Sequence, residues 1–207
     1  MENCIVFAAS DILDYDIIKP HINSEDFIIC ADAGLRHAKA LNITPNLIIG
    51  DFDSMDEFCM PGVETIRLPS CKDDTDSMAA VREGLKRGYK QFAFFGVLGG
   101  RLDHMLANIF LLEFLRQNGA SGVIYGDNET VFLIKNENFT LQKNDYSSFS
   151  LISLSENSTG VCIKGAQYEL DNAVIDYGHQ YGVCNEFSDD TVCISVENGT
   201  LLIIANM

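Results

Sequence analysis

Gln91-Phe92-Ala93-Phe94-Phe95-Gly96-Val97-Leu98-Gly99-Gly100-Arg101-Leu102, continuing to Gln117 and then to Gly122-Val123-Ile124-Tyr125, is the stretch that decides the fold. It opens with a short, continuous apolar run, which fits a strand buried on both faces. The chain then passes through paired glycines into Leu102–Gln117, apolar almost all round in the manner of a buried helix. Gly119 marks the helix end, and a second apolar run follows. Strand, helix and strand in this order form a βαβ unit, whose two strands are parallel.

The same texture extends toward the N-terminus. Cys4–Ala8, Phe27–Ala31, Leu47–Gly50 and Glu64–Leu68 read as further strands, while Gly34–Leu41 and Thr75–Arg87 read as helices, with Gly88 closing the second. After about Asp127 the helical period stops. Thr130–Ile134, Phe149–Leu154, Val161–Ile163, Thr191–Val196 and Leu201–Ile204 are β-branched and aromatic runs. Asn157-Ser158-Thr159-Gly160 reads as a turn between them, and Glu197-Asn198-Gly199 as a hairpin. The expectation is an α/β domain over residues 1–127 with a mainly parallel, Rossmann-like sheet, followed by an all-β sandwich domain over residues 128–207.

The chain has 207 residues, 47% of them apolar, enough for two small cores. The apolar run near the N-terminus is too short and lacks the basic flank of a signal peptide or membrane span. Seven cysteines form no CxxC pair and no zinc spacing, which suggests reduced thiols and a cytoplasmic setting. Thirty acidic residues against fourteen basic ones give a net charge of -16. That balance argues against nucleic acid or an anionic membrane as a partner. A polyphosphate ligand is compatible with it only if divalent cations neutralise the local carboxylates.

Four places concentrate chemistry-bearing residues. Gly50-Asp51-Phe52-Asp53-Ser54 ends a strand, and period-two alternation puts Asp51 and Asp53 on one side of the chain. Two hard oxygen donors then converge, although a lone Asp-x-Asp also serves to cap a turn. Lys72-Asp73-Asp74-Thr75-Asp76 opens a helix, where capping competes with metal or phosphate binding as the reason for the acids. Gly99-Gly100-Arg101-Leu102-Asp103-His104 offers close backbone approach, a helix N-terminus and a guanidinium to phosphate, or simply a tight turn. His104 and Asn108 follow at helical spacing, and Asp32 lies just after another strand. Acids and an arginine at four strand ends of one parallel sheet point to metal-dependent nucleotide or phosphate chemistry, and the residues alone go no further.

At these residues, together with Ala31-Asp32-Ala33-Gly34 and Cys184-Asn185-Glu186-Phe187, the chain resembles the bacterial type of the thiamine pyrophosphokinase family. The motifs are short, but their ordered set spans nearly the whole chain. The resemblance implies a thiamine diphosphokinase that transfers the pyrophosphoryl group of ATP to thiamine, with Mg2+ as cofactor. It also implies a thiamine-binding role for the sandwich, and a homodimer whose active sites lie between one subunit's α/β domain and the other's sandwich. Asp51, Asp53, Asp73 and Asp76 are thereby assigned to the metal and polyphosphate region, with Lys72, Arg101 and Asp103 as further catalytic members. Asp32, Gly99, Gly100, Arg101, His104, Asn108 and Asn128 fall on the nucleotide side, and Cys184 and Asn185 on the thiamine side. Cys184 stands where the family usually has Ser, and Tyr181 or Phe187 is the expected aromatic support for the substrate. Two alternatives are a diphosphokinase for a pterin-like or other heterocyclic alcohol, and a non-catalytic nucleotide- or metal-binding regulator.

Overall fold

The computed structural model describes residues 3–52, 60–69 and 73–207. The chain divides into two compact units, Met1–Asp127 and Asn128–Met207.

In the first unit, β1 (Cys4–Phe7), β2 (Phe27–Ala31), β3 (Leu47–Gly50), β4 (Glu64–Arg67), β5 (Gln91–Phe95) and β6 (Ser121–Tyr125) lie in the order β6-β5-β1-β2-β3-β4. Every pairing in this run is parallel. The inner strands are apolar without alternation because both faces are covered. One face packs Ile5, Phe7, Ile28, Cys30, Ile48 and Phe95 against Ile18 of α1 (Tyr15–Ile18) and against Leu35 and Ala38 of α2 (Leu35–Ala40). The other helices are α3 (Asp76–Lys86), which contacts β1, β2 and β3, and α4 (Leu102–Gln117), which contacts β6 and α3.

The chain winds outward from β1 to β4 and then returns to place β5 beside β1 on its other side. The carboxyl ends of β1 and β5 therefore flank the point where the winding reverses, which is where open α/β sheets bind ligands. Asp32, Asp51, the start of α3 and the β5–α4 connection all follow carboxyl ends of these parallel strands, so one edge of the sheet receives them.

α4 differs from its expected burial. Asn108, Leu111, Leu112 and Leu115 are buried, whereas Leu102, Leu106 and Phe110, spaced four residues apart, remain exposed at 67%, 48% and 52%. Apolar residues on every side thus reflect two different faces. None of the described helices is long and apolar enough to cross a membrane.

In the second unit β7 (Glu129–Lys135), β9 (Ser148–Ser153), β12 (Asn185–Glu186) and β14 (Thr200–Asn206) lie in the order β12-β9-β14-β7. A second layer has the order β11-β10-β13-β8, from β8 (Asn138–Gln142), β10 (Asn157–Lys164), β11 (Leu170–Asp176) and β13 (Thr191–Ser195). Both layers are antiparallel and share one core, with Phe149, Leu151, Leu201 and Ile203 from the first and Val161, Ile163, Val192 and Ile194 from the second. This is a sandwich.

Two turn expectations are corrected. Residues 157–160 belong to β10, where the register with β11 shifts between Ser158 and Val161, so the polar run is an irregular strand. Glu197-Asn198-Gly199 joins β13 to β14, which lie in different layers, and so forms an arch across the sandwich. Asn198 bridges to Thr159 of β10, which gives the turn a pairing partner other than a hairpin strand.

Candidate functional site

The site begins with backbone geometry at the carboxyl edge of the parallel sheet. Gly50 and Asp32 sit at adjacent strand ends, and a Cβ on Gly50 would lie 3.2 Å from Asp32 Cα. Asp51, the next residue, is thereby brought beside Asp32. Six described non-glycine residues have left-handed backbone: Asn42, Asn136 and Asn172, and also Asp32 (φ 48°), Phe52 (φ 55°) and Cys184 (φ 59°). Asparagine and aspartate tolerate this region, but phenylalanine and cysteine rarely occupy it. The strained positions therefore fall on or beside residues singled out from sequence, and such strain is concentrated at functional sites.

The β5–α4 connection supplies a second feature. Gly99 (φ 94°) and Gly100 (φ 74°) are exposed, and nothing lies within 4 Å of the place a Cβ would take on either. Their backbone faces open space immediately before a sixteen-residue helix whose N-cap, Arg101, makes no side-chain cap bond. The amides of Leu102 and Asp103 at the helix start and an unobstructed glycine pair form an anion-accepting surface, while the next amide, His104 N, donates to Asp103 Oδ1 at 2.9 Å. Arg101 pairs with Asp103 two residues on, its Nε lying 3.1 Å from Asp103 Oδ1. That hydrogen bond raises the Arg101 pKa, and the same bond holds the Asp103 carboxyl below its ordinary value. Both side chains are exposed, so solvent screens the pair and a phosphate can compete for the guanidinium.

The acidic start of α3 divides its duties. Thr75 Oγ caps the helix, accepting from Met78 N at 3.2 Å, and Asp74 pairs with Arg82 at 2.7 Å. The capping reading thus belongs to Thr75, and the repulsion among the acids is relieved in part by Arg82. Asp73, exposed, and Asp76, half-buried in the first helical turn, are the remaining described acids. Among the described residues no three His, Cys, Asp or Glu side chains gather closely enough to hold a metal by themselves. Asp53 and Lys72 lie outside the described residues.

Asn108 is buried and donates from Nδ2 to Val97 O at 2.9 Å, so its amide fixes the loop that carries the glycines. His104, one turn earlier, is exposed. Asn128 begins the second unit, is exposed, and accepts through its backbone oxygen from Met207 N.

Three residues that sequence reasoning did not single out, His37, Tyr15 and Ser10, lie beneath this edge. His37 is 1% exposed, with Nδ1 2.8 Å from Tyr15 Oη and Nε2 2.9 Å from Ser10 O. Burial lowers its pKa. Their contacts join residues 22 and 27 positions apart, which no local pattern encodes.

Within the sandwich unit a cleft of about 220 Å3 is lined by Ile163, Tyr168, Leu170, Tyr181, Gly182, Val183 and Asn185. Asn185 is buried, accepts from Tyr168 N and Glu186 N, and donates to Tyr168 O at 2.8 Å. It thus sets the Tyr168 backbone as one wall of the cleft. Tyr181 also lines it and donates to Val174 O at 2.6 Å. Phe187 does not line this cleft; it is 8% exposed and packs edge-on against Phe149 in the core. Tyr168 is the aromatic wall that sequence reading missed, since no motif surrounds it. Cys184 is exposed, and its backbone amide donates to Ser150 Oγ at 3.1 Å.

Comparison with known proteins gives this arrangement a family. A model of the thiamin pyrophosphokinase catalytic domain matches residues 18–124, and one of the thiamin pyrophosphokinase vitamin B1 binding domain matches residues 138–201. Thiamine pyrophosphokinase of Bacillus subtilis (strain 168) is 28% identical over 183 residues, covering 85% of each protein. Among solved structures, thiamine pyrophosphokinase from Bacillus subtilis aligns with a TM-score of 0.86 at 22% identity, over 100% of this chain and 99% of that one. A thiamin pyrophosphokinase family protein from Enterococcus faecalis aligns with the same TM-score at 24% identity and the same coverages. The structural likenesses establish a shared fold, and because the two domain models match consecutive parts of one sequence, the chain belongs to the thiamin pyrophosphokinase family.

Proposed function

We propose that the chain transfers the pyrophosphoryl group of ATP to the hydroxyl of thiamine, giving thiamine diphosphate and AMP in an Mg2+-dependent reaction. The observation that carries this reading is the open Gly99-Gly100 backbone at the head of α4, on the same sheet edge as Asp32 and Asp51. It offers polyphosphate a neutral cradle next to carboxylates that are useful only if a cation accompanies the phosphate.

The donor set suits Mg2+. Asp51, Asp73 and Asp76 would hold it, with Asp53 from outside the described residues. Mg2+ is ordinarily bound by one or two carboxylates, with waters and substrate phosphates completing its shell, so carboxylates that follow neighbouring strand ends match its habits. When bound, the ion draws charge from the phosphate oxygens. In the reaction the thiamine hydroxyl oxygen bonds to the β-phosphorus, and the bond from that phosphorus to the oxygen shared with the α-phosphate breaks. AMP departs with that oxygen, and the hydroxyl proton goes to a carboxylate. Arg101 and Lys72 supply positive charge where negative charge gathers on bridging and leaving oxygens, the term that dominates phosphoryl-type transfer. The backbone amides at the head of α4 orient the phosphates.

For thiamine the supporting feature is the cleft lined by Asn185, next to Cys184 in the chain, with apolar walls and two tyrosines, Tyr168 and Tyr181. Thiamine is a cation, and a chain of net charge -16 attracts it. We also read the protein as a homodimer, for which the exposed apolar stripe Leu102, Leu106 and Phe110 is suitable surface.

The test is AMP release from Mg·ATP with and without thiamine. AMP formed only with thiamine supports the reading, and strict dependence on a different heterocyclic alcohol removes it. Asp51→Asn and Asp73→Asn are expected to lower kcat well over tenfold, about 1.4 kcal/mol or more of transition-state stabilisation each, without loss of fold. Near-normal turnover in both would refute their roles. Cys184→Ser should preserve activity and keep or lower the KM for thiamine, because a hydroxyl is the better hydrogen-bonding group. A KM raised tenfold would remove Cys184 from the thiamine site.

A further inference from the structure

The loop between β1 and α1 crosses the end of β5 at the winding reversal, and all three polar groups of Ser10 are committed there. Its N–H donates to Gly96 O at 2.8 Å, its Oγ donates to Gly99 O at 3.2 Å, and its carbonyl faces His37 Nε2 at 2.9 Å. A carbonyl only accepts, so its 2.9 Å contact puts the imidazole proton on Nε2, and this outweighs the longer 3.5 Å approach of Arg36 Nε, which would need that nitrogen bare. Nδ1 is then bare and accepts from the Tyr15 hydroxyl at 2.8 Å. The imidazole is thus held as one neutral tautomer between α1 and the loop.

Neighbouring bonds fasten the same loop. Arg36 Nη2 donates to Ala9 O at 2.6 Å and to Asp11 Oδ1 at 2.7 Å. Asp127 Oδ1, at the end of β6, accepts from Leu13 N at 2.8 Å. Gly96 passes directly over the imidazole: a Cβ there would come within 3.0 Å of Nε2 and 2.9 Å of Ser10 O. A buried histidine serving only to fill space would not need to reach a loop whose next bond is to Gly99, one of the two open glycines.

We propose that His37 is a positioning residue for nucleotide binding, acting through Ser10, which sets where the Gly99-Gly100 backbone stands. The inference rests on the reading of those glycines given under Proposed function. His37 touches neither substrate. Its effect is transmitted in series: Tyr15 holds the ring in place, the ring's Nε2–H holds Ser10, and Ser10 holds Gly99. The charged groups facing the imidazole are Arg36 of α2 and Asp11 of the loop; the α1 side presents the Tyr15 hydroxyl, and the β5 side presents Gly96. Protonation would reverse the Tyr15 bond, with Nδ1–H donating to the hydroxyl oxygen, and would add charge beside Arg36 while leaving Nε2–H on Ser10 O.

The test uses the full chain and calorimetric binding of the α,β-methylene analogue of ATP with Mg2+, alongside steady-state kinetics. Ser10→Ala and Tyr15→Phe should each weaken binding of the analogue about three- to tenfold, the range for losing one neutral hydrogen bond. The KM for thiamine should stay within about twofold. The double variant should be no weaker than the worse single one, because both act on one chain of contacts. His37→Gln, whose amide nitrogen can still donate to Ser10 O, should bind within about threefold of the parent, whereas His37→Leu should not. Variants that melt earlier but bind the analogue normally would overturn the proposal, as would additive losses or equal losses for thiamine. If the parent chain binds no analogue and releases no AMP, the proposed function fails and this inference fails with it. If the parent does both and the variants match it, only the positioning role is lost.

Discussion

Gly96 shows how little freedom single residues have at this edge. Its φ is 64°, and a methyl group would meet Ala8 O at 2.7 Å as well as Ser10 and His37. All three obstacles are backbone carbonyls or a buried ring, so none can swing aside. Gly96→Ala should destabilise the fold by about 2–4 kcal/mol in urea unfolding, combining left-handed strain with overpacking. A loss below about 0.5 kcal/mol would show that the β5 end relaxes more easily than these distances imply. Much at this scale was readable: Asp32, Asp51 and the paired glycines stand out because acids and glycines interrupt apolar strands. The Tyr15–His37–Ser10 chain was not, since its members come from separate elements and each looks ordinary in its own. Asp74 was half legible. Its acidity drew attention, but its partner Arg82 is eight residues away and carries no mark of the pairing.

At the scale of elements, the parallel strands were legible because burial on both faces leaves continuous apolar runs. β8 and β11 were not, because each shows one face to solvent and carries polar residues such as Asn138, Thr140, Asp171 and Asn172. α1 spans four residues, too few for a helical period to register. α4 was recognised as a helix but not as one with two apolar faces, since periodicity cannot say what covers a face. Its exposed stripe offers a test of the homodimer proposed above. Replacing Leu106 and Phe110 together with Glu should convert a homodimer to a monomer in light scattering after size-exclusion chromatography, while far-ultraviolet circular dichroism stays unchanged. Exposed substitutions of this kind ordinarily move monomer stability by less than about 0.5 kcal/mol, so a loss of mass without a loss of fold separates association from folding. A parent chain that elutes as a monomer would remove the homodimer from the functional reading.

At the scale of the whole molecule, charge and chemistry must be reconciled. A chain of net charge -16 repels free ATP, and Asp32, Asp51, Asp73 and Asp76 concentrate that repulsion along the first unit's sheet edge and the start of α3. Free Mg2+ meets a complementary difficulty, because it gives up its waters reluctantly and is ordinarily held by one or two carboxylates together with substrate phosphates. Each ligand therefore lacks what the other brings: phosphate oxygens complete the metal's shell, and the metal cancels the charge that keeps phosphate away. Binding should consequently be strongly cooperative, and melting temperature reports it without any need for turnover. At a hundredfold excess over its dissociation constant a ligand adds about 2.7 kcal/mol, which for a chain of this length corresponds to roughly 5–10 °C. Mg·ATP should raise the melting temperature by that order, with ATP plus EDTA, or Mg2+ at matched ionic strength, each giving less than half of it. Asp51→Asn should shrink the joint effect while leaving the unliganded melting temperature nearly unchanged. If ATP with EDTA stabilised the chain as well as Mg·ATP does, the carboxylates would not be acting through a cation, and phosphate recognition would have to come from the open glycines and Arg101 alone.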